Sequence, residues 1–290
     1  EADQFRRLAS EADFSLVIAP EFDSILADRR RLIDETAGHW PGCTVEAIEL
    51  CSDKWALFEH LNRHQIPTVS TSLWDPSVLP SLSESPCVIK PRDGAGSSGI
   101  RVIEHPADIP TAIVSRKSDQ HVIQPCIAGR AISVAVLCAS HGANVEIFPT
   151  AEQHLSHDGQ FRYLGGRLPI TTSADHEIEE LVRQACHSLP GLNGYVGFDL
   201  ILPDNAPQQP LIVEINPRLT TSYSGYRQLT DENLAVRMLH PDATRGPISW
   251  KSTSVEWMSA GRVASNNEYA NVKNQPDAQA RDASETLPQF

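Results

Sequence analysis

Apolar and polar positions along this chain change period several times, and the changes predict alternating helices and strands. "FSLVIAP" (14–20) reads as a short buried strand, and "DSILADRRRLIDETA" after it has helical spacing, with Asp23 or Ser24 as its cap. "VEAIELCSDKWALFEHLNRHQIP" opens like a strand. It then predicts a helix capped by Ser52, with Leu57, Phe58 and Leu61 on one face, that stops before Pro67. Residues 74–86 are rich in Pro and Ser and read as a linker. From residue 87 the pattern turns to strands: "CVIKP", "IRVIE", "HVIQPCI", "AISVAVLCA" and "NVEIFPTAE". "DHEIEELVRQACHSL" (175–189) is a helix, followed by the strands "GYVGFDLIL" and "PLIVEIN". Periodicity fades past residue 251, which predicts a flexible tail to residue 290.

The two last strands carry the first chemical signal. Side chains alternate along a strand, so Glu214 and Asn216 share a face opposite Val213 and Ile215, and Asp199 faces away from Phe198 and Leu200. "PDNAPQQP" between them is a turn, so an antiparallel hairpin is expected; with Leu202 against Leu211, Asp199 falls opposite Glu214. Two carboxylates across a ladder repel and call for a positive partner. The set Asp199, Glu214 and Asn216 offers hard oxygens that suit Mg²⁺. A salt bridge from Glu214 to Arg218 is the other reading, and the hairpin alone leaves both open.

Composition narrows the choice. The chain has 290 residues, 40% of them hydrophobic, enough for two or three lobes around a cleft. A formal charge of -13 argues against nucleic acid and against an anionic membrane surface as partners. The longest apolar run, 131–139, is far too short for a spanning helix. Six cysteines without CxxC spacing read as reduced thiols of a cytoplasmic protein. "EADQFRR" shows no apolar signal core and no initiator Met, and reads as a truncation point.

"VIKPRDGAGSSGIRVIE" matches GxGxxG at 94–99, but a dinucleotide fingerprint needs a helix after the glycines, and "IRVIE" reads as a strand. Gly-Lys-Ser/Thr, the mark of a Walker A loop, is also missing here. The order strand, Lys90, glycine and serine loop, strand is that of a flap whose N–H groups can fold over phosphates; an ordinary flexible hairpin is the plainer reading.

At these residues the chain resembles the ATP-grasp superfamily, over roughly residues 51–240. "SDK" (52–54) and "IKP" with its flap resemble the two nucleotide-binding lysine motifs, so the resemblance implies nucleotide contacts at Lys54, Lys90, Gly94, Gly96, Ser97 and Ser98. "IQPCIAGRAISVAVL" resembles the interdomain hinge, where Gln124, Cys126 and Ile127 would meet adenine. Asp199, Glu214 and Asn216 match the metal ligands, and Arg218 the basic residue after them. The resemblance implies an ATP-grasp fold of the α/β (α+β) class. Its parts would be a short N-terminal α/β lobe (1–51), a helical linker with a small lid subdomain carrying the flap (52–127), and a mostly antiparallel sheet lobe with the metal site (128–250), before the tail (251–290). Two positions depart from the family pattern: Ala131 stands where an acidic ribose contact is usual, and Gly197 where peptide ligases such as D-alanine–D-alanine ligases carry arginine.

The resemblance implies an ATP-dependent ligase that activates a carboxylate as an acyl phosphate and transfers it to an amine, using ATP and Mg²⁺, or Mn²⁺ in its place. Lys90 and Arg218 would stabilise the phosphoryl in flight. "AEQHLSHDGQFRYLGGRLPI" and "EINPRLTTSYSGY" are similar to the branch that holds the tyramine–glutamate ligases of methanofuran synthesis. That likeness implies substrate contacts at Gln153, Tyr163, Gly165, Gly166, Thr220 and Thr221, with glutamate and an aromatic amine as substrates. The expected partners are thus small molecules, an amino acid and an amine; a homo-oligomer is compatible with the sequence. A phosphotransferase on the same platform and a nucleotide-binding regulator without catalysis are the alternatives.

Overall fold

The computed structural model describes residues 1–75, 86–94, 97–105, 109, 120–139, 144–205, 209–241, 243 and 245–259. The chain opens with four helices: α1 (Ala2–Glu11), α2 (Ile25–Glu35), α3 (Val45–Ser52) and α4 (Lys54–Arg63). The strand-like start "VEAIELC" is in fact α3. Its buried residues Ala47, Ile48 and Cys51 fall on one helical face, and the Thr44 hydroxyl accepts from Ala47 N to start it. The expected cap Ser52 is instead the last residue of α3 and donates to Ile48 O at 2.6 Å. Asp53 caps α4, accepting from Trp55 N and Ala56 N.

Two N-terminal expectations fail. Asp23 and Ser24 both have positive φ, 52° and 58°, and neither side chain caps α2. "FSLVIAP" forms no strand: its Val17 and Ala19 pack on the core while Leu16 and Ile18 stay exposed. A strand needs a ladder, and among the described residues none runs beside this segment.

Two antiparallel sheets follow. The smaller contains β1 (Ser72–Leu73), β2 (Cys87–Pro91), β3 (Arg101–Ile103) and β4 (His121–Pro125), in the order β1-β4-β2-β3. The larger contains β5 (Gly129–Ala139), β6 (Asn144–Ile147), β7 (Ala151–Leu155), β8 (Tyr163–Leu168), β9 (Gly194–Pro203), β10 (Leu211–Asn216) and β11 (Val255–Met258). Its order is β10-β9-β5-β7-β8-β11, with β6 on β5. The expected tail therefore does not begin at residue 251, because β11 pairs with β8 and buries Trp257 completely. Residues 260–290 lie outside the described residues, as do 76–85 of the expected linker.

Alternation on β5 and β9 divides the molecule. Ile132, Val134, Val136, Val196, Phe198 and Leu200 face one core, filled from the other side by α2, α3, α4 and α5 (Asp175–Ser188). The opposite face is covered by Tyr226, Leu229 and Trp257, with Ala135, Leu137 and Tyr195 from the strands; Tyr226 lies in α6 (Tyr223–Tyr226). Farther along the strands on that face the apolar cover ends. There Ser133 and Asp199, paired across the ladder, look onto open space.

Candidate active site

The open space is a cavity of about 350 Å³ lined from both sheets. One end is the hairpin of β9 and β10. Glu214 does stand opposite Asp199, although Leu211 pairs with Ile201 and not with Leu202. A bulge between Ile212 and Glu214 shifts the register by one residue and restores the pairing. It also turns Val213 onto the cavity alongside Glu214, while Ile212 and Ile215 enter the core.

Asp199 is held from two sides: Gln153 Nε2 donates to its Oδ1 at 2.7 Å and Asn216 Nδ2 to its Oδ2 at 3.0 Å. Burial and the Glu214 charge nonetheless push its carboxyl up to about 7, against the pull of those two hydrogen bonds. Lys90 projects from β2 into the same cavity, 4% exposed. Burial, with Lys54 nearby, brings its ammonium down to about 8, opposed by the charges of Glu214 and Asp199. Lys54 itself donates to Gly94 O at 2.8 Å, so it grips the root of the flap and does not line the cavity.

Arg218 does not make the salt bridge to Glu214 that the hairpin left open. Its partner is Glu21, 5% exposed, with Nε 2.7 Å from Oε1 and Nη2 donating to Oε2 at 3.1 Å. Glu214 is thus left to the cavity. Burial raises the Glu21 carboxyl, an effect that Arg218 opposes. No signal in the sequence joins these two residues, 197 positions apart.

Of the other expected contacts, Ser97, Gln124, Cys126, Ile127, Gln153, Tyr163, Thr220 and Thr221 all line the cavity. Gln124 uses its amide N–H on Thr71 Oγ1, at 2.8 Å, and Ser97 donates to Phe161 O at 2.7 Å. Ser98 is exposed and outside the lining, and Gly96 lies outside the described residues. Gly165 and Gly166 do not line the cavity. A Cβ on Gly166 would come within 2.6 Å of Glu152 O and of Trp257 Cζ2, so the pair makes room for a tryptophan. Gly197 has a similar cause, because a Cβ there would run into Thr220 Cγ2. Thr220 in turn joins Tyr195 and Ser222 in a hydroxyl cluster at 2.8–3.4 Å. Ser133, Ser222 and Tyr195 were not marked by the sequence, since isolated hydroxyls in strands and turns carry no pattern.

The ATP-grasp domain profile matches residues 51–222, and the pre ATP-grasp 3 domain profile matches residues 1–48. The chain belongs to the ATP-grasp family. A tyramine–L-glutamate ligase of Methanocaldococcus fervens is 26% identical over 247 residues, 84% of this chain and 71% of that protein. An ATP-grasp superfamily protein from Archaeoglobus fulgidus superposes with a TM-score of 0.66 at 27% identity, covering 88% of this chain and 72% of its own. The biotin carboxylase domain of the Hydrogenobacter thermophilus 2-oxoglutarate carboxylase, solved with MgADP and bicarbonate, gives 0.71 at 18% identity, over 88% of this chain and 60% of its own. The family and its ligase relative place the chain among ATP-dependent carbon–nitrogen ligases.

The donor set fits a hard divalent cation. Asp199 and Glu214, both half-buried, face each other across a ladder, and Asn216, whose Nδ2 serves Asp199, keeps its Oδ1 as an oxygen donor. Among the described residues no helix is long and apolar enough to cross a membrane.

Proposed function

We propose that this ATP-grasp chain joins a carboxylic acid to an amine through an acyl phosphate, with ATP as phosphoryl donor. The observation behind this reading is that one cavity is lined both by Lys90, Arg218, Asp199 and Glu214 and by Gln124, Cys126 and Ile127. That combination suits a nucleotide: an apolar slot for a base, cations for its terminal phosphates. Lys90, with Lys54 behind it, would neutralise phosphate charge, and the N–H groups of Gly94 and Ser97 would close over it. Asp199, Glu214 and Asn216 are the residues that would hold Mg²⁺, or Mn²⁺, whose charge would offset that of the phosphate oxygens.

In the first step a carboxylate oxygen bonds to the γ-phosphorus as the bond to the β–γ bridging oxygen breaks, and ADP leaves with the electron pair. In the second, the amine nitrogen bonds to the acyl carbon, the acyl–oxygen bond breaks, phosphate leaves and the nitrogen loses a proton to solvent. Neither step needs a protein nucleophile, and none of the described histidines lines the cavity. Arg218 is held by Glu21 at the phosphoryl end, where charge moves in both steps. Following the M. fervens relative, we infer glutamate as the acid and an aromatic amine such as tyramine as the acceptor, met by Gln153, Tyr163, Thr220 and Thr221.

Phosphate release from ATP, measured over a matrix of amino acids and amines, tests this reading. Release is expected only with both present, and most strongly for L-glutamate with tyramine. A stable phosphorylated product without amide would make the protein a phosphotransferase. Nucleotide binding with no phosphate released by any pair would make it a regulator.

A further inference from the structure

Tyr163 lines the cavity together with Gln153 and Asp199. Its phenol oxygen accepts a hydrogen bond from Trp257 Nε1 at 2.8 Å. An indole N–H donates and cannot accept, so the phenol keeps its own proton for another partner. Among the described residues it has no such partner. Burial, with the Asp199 charge adding to it, pushes the phenol well above its ordinary value, so the hydroxyl remains a donor.

Trp257 has little freedom to point elsewhere. It is fully buried on β11, opposite Gly166 in the ladder with β8. Its ring lies against Gly166 and Gly225, where a Cβ would come within 2.6 Å of Cζ2 and 2.8 Å of Cε3. Gly166 of "YLGG" and Gly225 therefore seat an indole whose N–H is aimed at the tyrosine of that motif. That tyrosine stands near the Asp199 carboxylate, whose charge would repel an incoming acid, and a neutral O–H donor is the group that can attract an anionic oxygen there.

We propose that Trp257 is a positioning residue: its indole N–H fixes the Tyr163 hydroxyl as a hydrogen-bond donor to an oxygen of the substrate carboxylate, or of the acyl phosphate made from it. This rests on the ligase reading above. It makes β11, which lies beyond the matched ATP-grasp domain, part of the acid-binding wall.

The test is a double-mutant cycle with Tyr163→Phe and Trp257→Phe, measuring kcat and KM for ATP and for L-glutamate with tyramine as acceptor. Each single change is expected to raise KM for glutamate, or lower kcat/KM for it, by about 10-fold. KM for ATP should stay within about twofold, and the double variant should be no worse than Tyr163→Phe alone. Additive losses, or equal shifts in the ATP and glutamate constants, would make Trp257 a packing residue and overturn the proposal. Should Trp257→Phe not fold, the Tyr163→Phe split decides: a glutamate shift with ATP constant supports the donor, and no shift overturns it. A wild type that releases no phosphate with any acid would overturn the ligase reading and this assignment with it, whereas an active wild type matched by Trp257→Phe overturns this assignment alone.

Discussion

Single residues set the charge of the site, and three predictions belong to this scale. Glu214→Gln keeps shape and removes one of the two facing carboxylates; turnover should fall about 100-fold or more while the fold is kept, seen as lost phosphate release with unchanged circular dichroism. Lys90, lowered to about 8 by burial and Lys54, is cationic below that pH and neutral above it. Nucleotide affinity should therefore decline as pH rises through about 8, and Lys90→Met should lower affinity and flatten the decline in a calorimetric pH series. Gly197→Ala would press on Thr220 Cγ2 and destabilise by about 1–3 kcal/mol. Adding Thr220→Ser, which removes that methyl group, should restore most of the loss in a denaturant titration. At this scale the sequence was informative where chemistry repeats along a strand: Asp199, Glu214, Asn216 and Lys90 were legible from alternation and motif order. Glu21 and Trp257 were not, because the contacts that give them meaning are made with residues distant in the chain, Arg218 and Tyr163.

Elements were legible where period and length agreed. The strands from residue 87 follow their patterns, except that "NVEIFPTAE" is divided between β6 and β7, and the helix at 175–189 follows its own, since long alternating or helical runs leave little choice. "VEAIELC" misled because a short apolar run fits a strand or a buried helix equally, and the cap at Thr44 decided it. The facing carboxylates followed from the expected pairing only because a bulge corrected a register wrong by one residue. β11 was hidden by its polar surroundings, as one buried tryptophan makes no periodicity. The junction of α3 and α4 carries its own prediction. Asp53 caps α4 and holds Arg92 through two oxygens, at 2.7 and 2.6 Å. Burial opposes ionisation there, but Arg92 and the two cap N–H groups win and keep the carboxyl below its ordinary value. Its contribution is present above the unfolded pKa and is lost as pH falls through the folded one. Asp53→Ala should cost about 1–2 kcal/mol in thermal or denaturant unfolding near neutral pH, and the difference from wild type should shrink in acid.

At the scale of the whole molecule, residues of two antiparallel sheets line a cavity that holds both cationic and carboxylate groups. On the proposed reading these groups would grip the terminal phosphates of a nucleotide, where charge develops when the γ-phosphoryl moves. The central claim is that the acid is activated by phosphoryl transfer before the amine attacks. Its most direct measurement uses L-glutamate labelled with ¹⁸O in its carboxylates, with ATP and tyramine, and follows the products by mass spectrometry and ³¹P resonance. ADP, amide and phosphate carrying one ¹⁸O from the acid are predicted, since that oxygen bridges carbon and phosphorus in the intermediate. AMP with pyrophosphate, or amide formed with unlabelled phosphate, would contradict it.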